Sequence, residues 1–541
     1  MQHFIGVDVG TGSARAGVFD ARGRLIGSAQ AAIDTTRPQP GYAQQSSRGI
    51  WAAVARALRE AMTQAAIPAD SVAGLGFDAT CSLVVADATG GPVSVCPQGG
   101  VDQDVILWMD HRAIAEAAAI NATGAEVLAH VGGVISPEME MPKLLWLKRH
   151  LPQSWARAAA FWDLPDWLVH RATGAPARSL CSAVCKWTYL GHRGAAGEGW
   201  DDAFLRDIGL SDLTGAGHAM IGEDFAAPGA RVGGLSAEAA AELGLATGTP
   251  VAAGMIDAYA GALGTLGVGA GGADLAGRLA VIAGTSACHI ALTDAAVFVP
   301  GVWGPYFSVL VPGLWANEGG QSAAGALIDT VIDRHGAAAG ARAEAARQNV
   351  SVHAFLQAEL TRLAAGGDTA LLSAGRHIQP DFHGNRSPLA DPTRHGAISG
   401  LTLEHGLADL ALDYLAVVQA LAYGTRHILQ EMTGAGLVVD VLVVSGGLAR
   451  NPLYLREMAD ATGCRIVVPD QAEPVLLGAA MMAAVAAEAQ PDLPQAMRAM
   501  GGPGAEIAPR ADLAAYHDRK YQVFRRMQAD FADYAAIMGG D

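Results

Sequence analysis

The sequence predicts an α/β protein built as two halves with a cleft between them. Three observations carry this. A strand–turn–strand unit with glycine and threonine at its turn opens the chain at Gly10-Thr11. It returns about 274 residues later at Gly284-Thr285. After each unit, apolar β-rich runs alternate with stretches of helical spacing, the pattern of α/β domains. Between the two units, Gly261–Gly277 is the most glycine-dense stretch of the chain and reads as the junction. The expected division is therefore 1–265 and 266–541, an internal duplication.

The elements follow in order. Phe4–Val9 is apolar and β-rich, Gly10–Ser13 is a turn, and Ala14–Asp20 resumes a strand that turns at Gly23 into Arg24–Ile33. Ser46–Gln64 carries Ile50, Val54, Leu58 and Met62 at helical spacing. Val72–Asp78 and Leu83–Asp87 read as strands. Ile114–Arg171 reads as a helical region, with Gly132-Gly133, Pro137 and Pro142 as breakers. Pro250–Ala253 is a short strand and Met255–Leu263 a helix. In the second half, strands are expected at Leu279–Ala283 and Ala287–Leu292. Helices are expected at Gln321–His335, Val352–Ala365 and Leu407–Met432. Strand Val439–Val444, helix Pro452–Thr462, strand Arg465–Val468 and helix Pro474–Glu488 complete the pattern. No period of 20–50 residues marks a solenoid.

Composition narrows the function classes. With 541 residues, 51% of them hydrophobic, the chain has ample material for large cores and is not a disordered protein. A formal charge of −17 argues against a nucleic-acid or anionic-membrane partner. It leaves room for a local phosphate site made of backbone N–H groups. The six cysteines (81, 96, 181, 185, 288 and 464) form no CxxC pair, and no HExxH occurs, so a structural zinc is not expected. Cys181 and Cys185 read as small buried hydrophobes. The N-terminus has no basic region before its apolar run, which Asp8 interrupts, so it is not read as a signal peptide. The apolar run Val475–Ala487 is too short for a bilayer. A cytoplasmic protein without a membrane partner is expected.

Three turns suit phosphate. Asp8-Val9-Gly10-Thr11-Gly12-Ser13 lies between two strands, where glycines allow close approach and N–H groups form an anion nest. Asp8 ends its strand where it would hold a metal beside the phosphates. No GK[ST] follows, and the next element is a strand, so this is neither a P-loop nor a dinucleotide fingerprint. Gly284-Thr285-Ser286 repeats the chemistry. Ser445-Gly446-Gly447, running to Asn451-Pro452, follows a strand and opens a helix, whose N-terminus favours an anion.

The catalytic candidates each have a plainer reading beside the functional one. Asp257 begins a helix and is either an N-cap or a base that accepts a hydroxyl proton during phosphoryl transfer. Trp108-Met109-Asp110-His111-Arg112 offers an aromatic and a carboxylate suited to a sugar, or a core tryptophan beside a solvated charge run. Lys186-Trp187 is a pocket pair or a surface lysine with a core ring. Glu318-Gly319-Gly320-Gln321, placed between strand and helix, offers a pocket carboxylate or a capping one. Phe77-Asp78-Ala79-Thr80-Cys81-Ser82 ends a strand and can line a pocket. Cys81 has no neighbouring histidine in sequence and is not read as a nucleophile.

Taken together, these blocks resemble the FGGY family of carbohydrate kinases. The resemblance runs nearly end to end: GVDVGTGSARAGVFD (6–20), WMDHRA (108–113), MPKLLWLK (141–148), GMIDAYAGALG (254–264), AGTSACH (283–289), NEGGQSAAG (317–325) and SGGLARNP (445–452). FDATCS (77–82), CSAVCKWTY (181–189) and DFHGNRSPLADP (381–392) look most like the ribulokinase branch, of the D-ribulokinase type. The resemblance implies the two-lobed actin-like ATPase (ribonuclease H-like) fold and ATP- and Mg²⁺-dependent phosphorylation of a ketose or polyol hydroxyl. It implies Asp257 as general base, with Asp8 and Asp257 beside the metal. Thr11, Gly12, Ser13 and Arg15 fall in the first phosphate block, and Gly284, Thr285 and Ser286 in the second. Gln321, Gly446, Gly447 and Asn451 fall on the nucleotide side. Cys81, Trp108, Asp110, Lys186, Asp257 and Glu318 fall on the sugar side. Homodimers are common in that family. Two departures stand out: Thr80-Cys81 replaces the Arg-Glu pair of glycerol kinases, which disfavours glycerol, and Glu140 stands where a small residue or proline is usual.

The resemblance implies conversion of D-ribulose to D-ribulose 5-phosphate, with L-ribulose, xylulose and ribitol as the nearby alternatives. An actin-like ATP-driven switch protein shares the phosphate turns but needs no sugar pocket. An NAD-dependent dehydrogenase would need a glycine fingerprint opening a helix, which the chain lacks.

Overall fold

The computed structural model describes residues 2–269 and 275–539. Five residues of the glycine-dense junction, 270–274, lie outside the described residues. The first half contains β1 (His3–Val9), β2 (Ser13–Asp20), β3 (Leu25–Ala32), α1 (Ser47–Ala65) and β4 (Val72–Ala79). It continues with β5 (Leu83–Ala86), α2 (Glu140–His150), β6 (Ala160–Asp163), α3 (Leu164–Thr173) and α4 (Leu180–Lys186). Next come β7 (Arg231–Gly234), β8 (Pro250–Ala252), β9 (Met255–Ile256) and α5 (Asp257–Leu266). The second half contains β10 (Gly277–Ala283), β11 (Ala287–Thr293), β12 (Trp303–Phe307), β13 (Trp315–Gln321) and α6 (Gly325–Arg334). Then follow α7 (Val352–Ala364), α8 (Leu407–Gly434), β14 (Val439–Ser445), α9 (Pro452–Thr462), β15 (Arg465–Pro469), α10 (Pro474–Ala486), β16 (Gly504–Ile507) and α11 (Ala514–Gly539).

The duplication is visible in the sheets. The first runs β7-β8-β4-β1-β2-β3, with β9 also on β4, and the second runs β12-β13-β11-β10-β14-β15-β16. Each begins with three antiparallel strands, β3-β2-β1 and β13-β11-β10. Two parallel neighbours follow, β4 and β8 in one, β14 and β15 in the other. An antiparallel edge strand closes each series. The first and second turns, Gly10–Ser13 and Gly284–Ser286, thus join equivalent antiparallel strands in sheets of one topology.

The helix α10 belongs in sequence to the second half but packs on β1, β4 and α5 of the first. Glycine makes this approach possible: a Cβ on Gly76 would overlap the carbonyl oxygen of Ala479, and one on Gly478 that of Ala260. The longest described apolar helix, α8, meets the length and hydropathy of a membrane span, but 78% of that window is buried inside the protein. Its apolar surface is spent on the second core.

Several elements differ from the expectations. Ile114–Arg171 is not wholly helical, because the short strand β6 pairs with β5. Pro142 breaks nothing: it sits in the first turn of α2, where no intrahelical N–H bond is required of it. The helix expected from Met255 begins at Asp257, because Met255 and Ile256 are drawn into the sheet beside Asp78 and Ala79. The helix expected from Gln321 begins at Gly325, because Trp315–Gln321 is a strand.

Candidate active site

Three carboxylates meet at the ends of three adjoining parallel strands. Asp8 pairs in register with Asp78 across β1 and β4, and Asp257 follows β9, whose Met255 lies beside Asp78. Carboxyl ends of parallel strands are where α/β folds bind ligands. Asp8 accepts from Arg15 Nε at 2.7 Å, and Arg15 Nη1 reaches Glu473 at 3.0 Å. Asp78 is fully buried, and among the described residues no N–H or O–H donor reaches its oxygens; its side chain meets the Asp8 carboxylate instead. Burial, then the charges of Asp8 and Asp257, hold its pKa well above the usual carboxylate range. Burial and Asp8 push Asp257 up to about 6. Asp257 Oδ1 also accepts from the Ala258 N–H at 2.7 Å. The carboxylate oxygens of Asp8, Asp78 and Asp257 are the hard donors a divalent ion takes, and among the described residues Arg15 is the one cation bonded to any of them.

Near Asp257 lie several buried, poorly satisfied polar groups. Lys186 ends α4 and is 4% exposed, not the surface lysine of the plainer reading. Its ammonium stands 4.1 Å from the Trp303 ring centroid. Glu318 is not a helix cap. It lies in the middle of β13, directly opposite Trp303 of β12, with its Oε2 buried and unpartnered. Cys81 is buried at the end of the β4–β5 connection, and burial pushes its thiol far up, which fits a pocket wall rather than a nucleophile. Beneath them, Lys143 and Glu140 are fully buried partners at 3.3 Å, so the unusual Glu140 pairs the family-block lysine. Cys181 and Cys185 are buried on α4, as expected of small hydrophobes.

The glycine-rich turns stand at strand ends of the two sheets. In the first, Gly10 N donates to Ser13 O and Ile33 N to Gly12 O, leaving Thr11, Gly12 and Ser13 at its tip. Trp108 donates its indole N–H to Thr11 Oγ1 at 3.1 Å. The residue assigned to the sugar side therefore touches the first phosphate turn. In the second, Gly284, Thr285 and Ser286 join β10 to β11, and Gly325 N at the start of α6 donates to Gly284 O. Gly446 has φ 89°, and a Cβ there would stand 2.5 Å from Ala283 O, which places the Gly446-Gly447 turn against the second one.

Three expected site residues have their side chains committed elsewhere. Asp110 is fully buried, and its oxygens accept from Arg112 and from Ala43 N. It braces the Trp108 loop and does not present a free carboxylate. Asn451 caps α9 through Leu453 N and Tyr454 N, and its amide donates to Tyr414. Gln321 donates to Leu421 O of α8 at 2.8 Å. The sequence reading gave no role to Trp303 or Glu138, and mentioned Asp78 only as a strand end.

A two-lobed α/β fold with a carboxylate cluster, paired phosphate turns and a buried polar pocket defines a phosphotransferase class acting on a small hydroxylated molecule. The family models for the N-terminal and C-terminal domains of the FGGY carbohydrate kinases match residues 3–264 and 279–487. An FGGY carbohydrate kinase domain-containing protein of Homo sapiens is 45% identical, over 100% of this chain and 98% of that protein. A D-ribulokinase of Saccharomyces cerevisiae is 40% identical, over 90% of this chain and 72% of that protein. Among solved structures, a xylulose kinase from Rhodospirillum rubrum superposes with a TM-score of 0.77 at 22% identity, covering 98% and 99% of the two chains. A glycerol kinase from Plasmodium falciparum superposes with a TM-score of 0.75 at 15% identity, covering 98% of each. The chain belongs to the FGGY family of carbohydrate kinases, and it is a sugar kinase.

Proposed function

We propose that the protein transfers the γ-phosphoryl group of ATP to a terminal hydroxyl of a pentulose, with D-ribulose the preferred acceptor. The observation that carries this reading is the group of buried side chains near Asp257, where among the described residues Lys186 has no hydrogen bond and Glu318 has an unpartnered oxygen. Buried polar groups are costly unless a ligand completes them, and a hydroxylated chain supplies both donors and acceptors. The likeness to the yeast D-ribulokinase supports the choice of pentulose, and L-ribulose, xylulose and ribitol are the competing acceptors.

Asp257 takes the proton of the reacting hydroxyl as its oxygen bonds to the γ-phosphorus and the bond to the ADP oxygen breaks. A carboxylate raised to about 6 is mostly ionised at neutral pH and is a stronger base than an ordinary aspartate. Lys186 and Glu318 orient the sugar. The turns at Thr11–Ser13 and Gly284–Ser286 cradle phosphates through N–H and hydroxyl donors. Asp8 and Asp257, with Asp78 behind them, would hold Mg²⁺, which supplies charge neutralisation on the phosphates.

The test is ADP release with Mg²⁺-ATP across D-ribulose, L-ribulose, D-xylulose, ribitol and glycerol. Highest kcat/KM on D-ribulose is expected. Highest turnover on another pentulose or pentitol overturns the acceptor, and no sugar-stimulated release overturns the reading.

A further inference from the structure

Arg386 approaches the sugar pocket from a loop that neither phosphate turn nor base requires. Its side chain crosses Gly320 of β13: a Cβ at that glycine would stand 2.9 Å from Arg386 Cδ and 3.3 Å from Nη1. Ser387 N fixes the loop to Gly320 O at 3.2 Å. Alternation along a strand puts Gly320 on the same sheet face as Glu318. The absent side chain therefore opens a lane along the pocket floor. At its end, the guanidinium stands 5.4 Å from the Trp303 ring that also carries Lys186. Among the described residues its direct polar contacts are a long 3.5 Å pair with Glu138 of the first half and a 3.9 Å contact to Cys288 Sγ. A guanidinium has five N–H donors, so most of Arg386 is unspent in a position only 11% exposed.

We infer that Arg386, entering over Gly320 and held by Glu138, is a specificity-determining contact that donates to oxygens of a neutral ketose or polyol. This rests on the sugar-kinase reading above. Neutrality follows from the charges around the pocket. Lys186 and Arg386 face Glu138, Glu318 and Asp257, so the cations are already matched and the carboxylate of a sugar acid would meet Glu138 and Glu318. Asp257 and Arg386 approach the pocket from different halves of the chain, so Arg386 reads oxygens away from the phosphorylated hydroxyl.

Equilibrium binding of D-ribulose without nucleotide, and steady-state kinetics, test this on Arg386→Gln and Gly320→Ala. Gly320 has no positive φ, so its backbone conformation suits alanine; the added Cβ obstructs the lane at Arg386 Cδ and also meets Ala287 O of β11 at 3.1 Å, a contact that a shift of a few tenths of an ångström relieves. Both variants should weaken D-ribulose binding and raise its KM by roughly 10–100-fold, the effect of losing charge-assisted hydrogen bonds. KM for ATP should stay within about twofold of wild type, and Arg386→Lys should recover part of the loss. Unchanged D-ribulose binding in either folded variant overturns the inference. So does tighter binding of D-gluconate than of D-ribulose by the wild-type protein. Should Arg386→Gln fail to fold, Gly320→Ala decides alone. A wild-type protein that binds D-ribulose but never transfers phosphate overturns the kinase reading and leaves this contact standing.

Discussion

Asp8 lies directly beside Asp78 in the parallel pairing of β1 and β4, and among the described residues only Asp8 is bonded by a cation: Arg15 donates to Asp8, while the Asp78 oxygens receive no such donor and face the Asp8 carboxylate. Two buried carboxylates at this spacing do not both ionise cheaply, and the one without a donor keeps the proton. Asp78→Asn preserves shape and removes the ionisable group. Its thermal midpoint should equal or exceed that of wild type, while the Mg²⁺ concentration for half-maximal activity should rise several-fold. A titration of activity against Mg²⁺ checks this, and an unchanged requirement removes Asp78 from the metal's surroundings.

Asp257→Asn keeps the acceptor oxygen near Ala258 N but loses the base. We expect kcat to fall by about 10²–10⁴-fold, with D-ribulose binding retained within a few-fold. Near-normal turnover would end its assignment as base.

Trp108→Phe removes the indole N–H that reaches Thr11 Oγ1. Losing one neutral hydrogen bond of roughly 1 kcal/mol should raise KM for ATP by about fivefold. A change in sugar KM alone would return Trp108 to the sugar side.

Glu457 on α9 gives a stability test far from the chemistry. It is fully buried, accepts from Gln419 at 2.9 Å, and leaves Oε1 unpartnered. Burial raises its pKa to about 7. The folded state therefore holds a proton that the unfolded chain releases near pH 4–5, and stability falls as pH rises through that window to about 7. Glu457→Gln should stabilise the protein by roughly 1–3 kcal/mol at pH 8 and by less at pH 5. Denaturant melts at the two pH values decide it, and an equal effect at both removes the titration from the explanation.

Much of the fold was legible because its signals are local. The turn at Gly10–Ser13, its counterpart at Gly284–Ser286, and the helices opening at Ser47 and Pro452 are set by turn chemistry, caps and periodicity within a few residues. Recurrence of the same hairpin announced two sheets of one topology. The strand at Trp315–Gln321 was not legible. Asn317-Glu318-Gly319-Gly320 has little intrinsic β preference, and it is a strand because β11 and β12 pair with it on either side.

For the site, the sequence determined which chemical groups are present and which turns have the glycines and hydroxyls that suit phosphate, since those depend on residue type and short spacing. Tertiary structure decided which groups are free to act. It buried Lys186 over Trp303, set Glu318 in mid-strand, closed Asp110 with the Ala43 N–H, and brought Arg386 to Glu138, 248 residues away. Local propensity says nothing about contacts across such separations. They are fixed by how the two sheets and their connecting loops pack, and that packing sets burial, hydrogen-bond satisfaction and pKa.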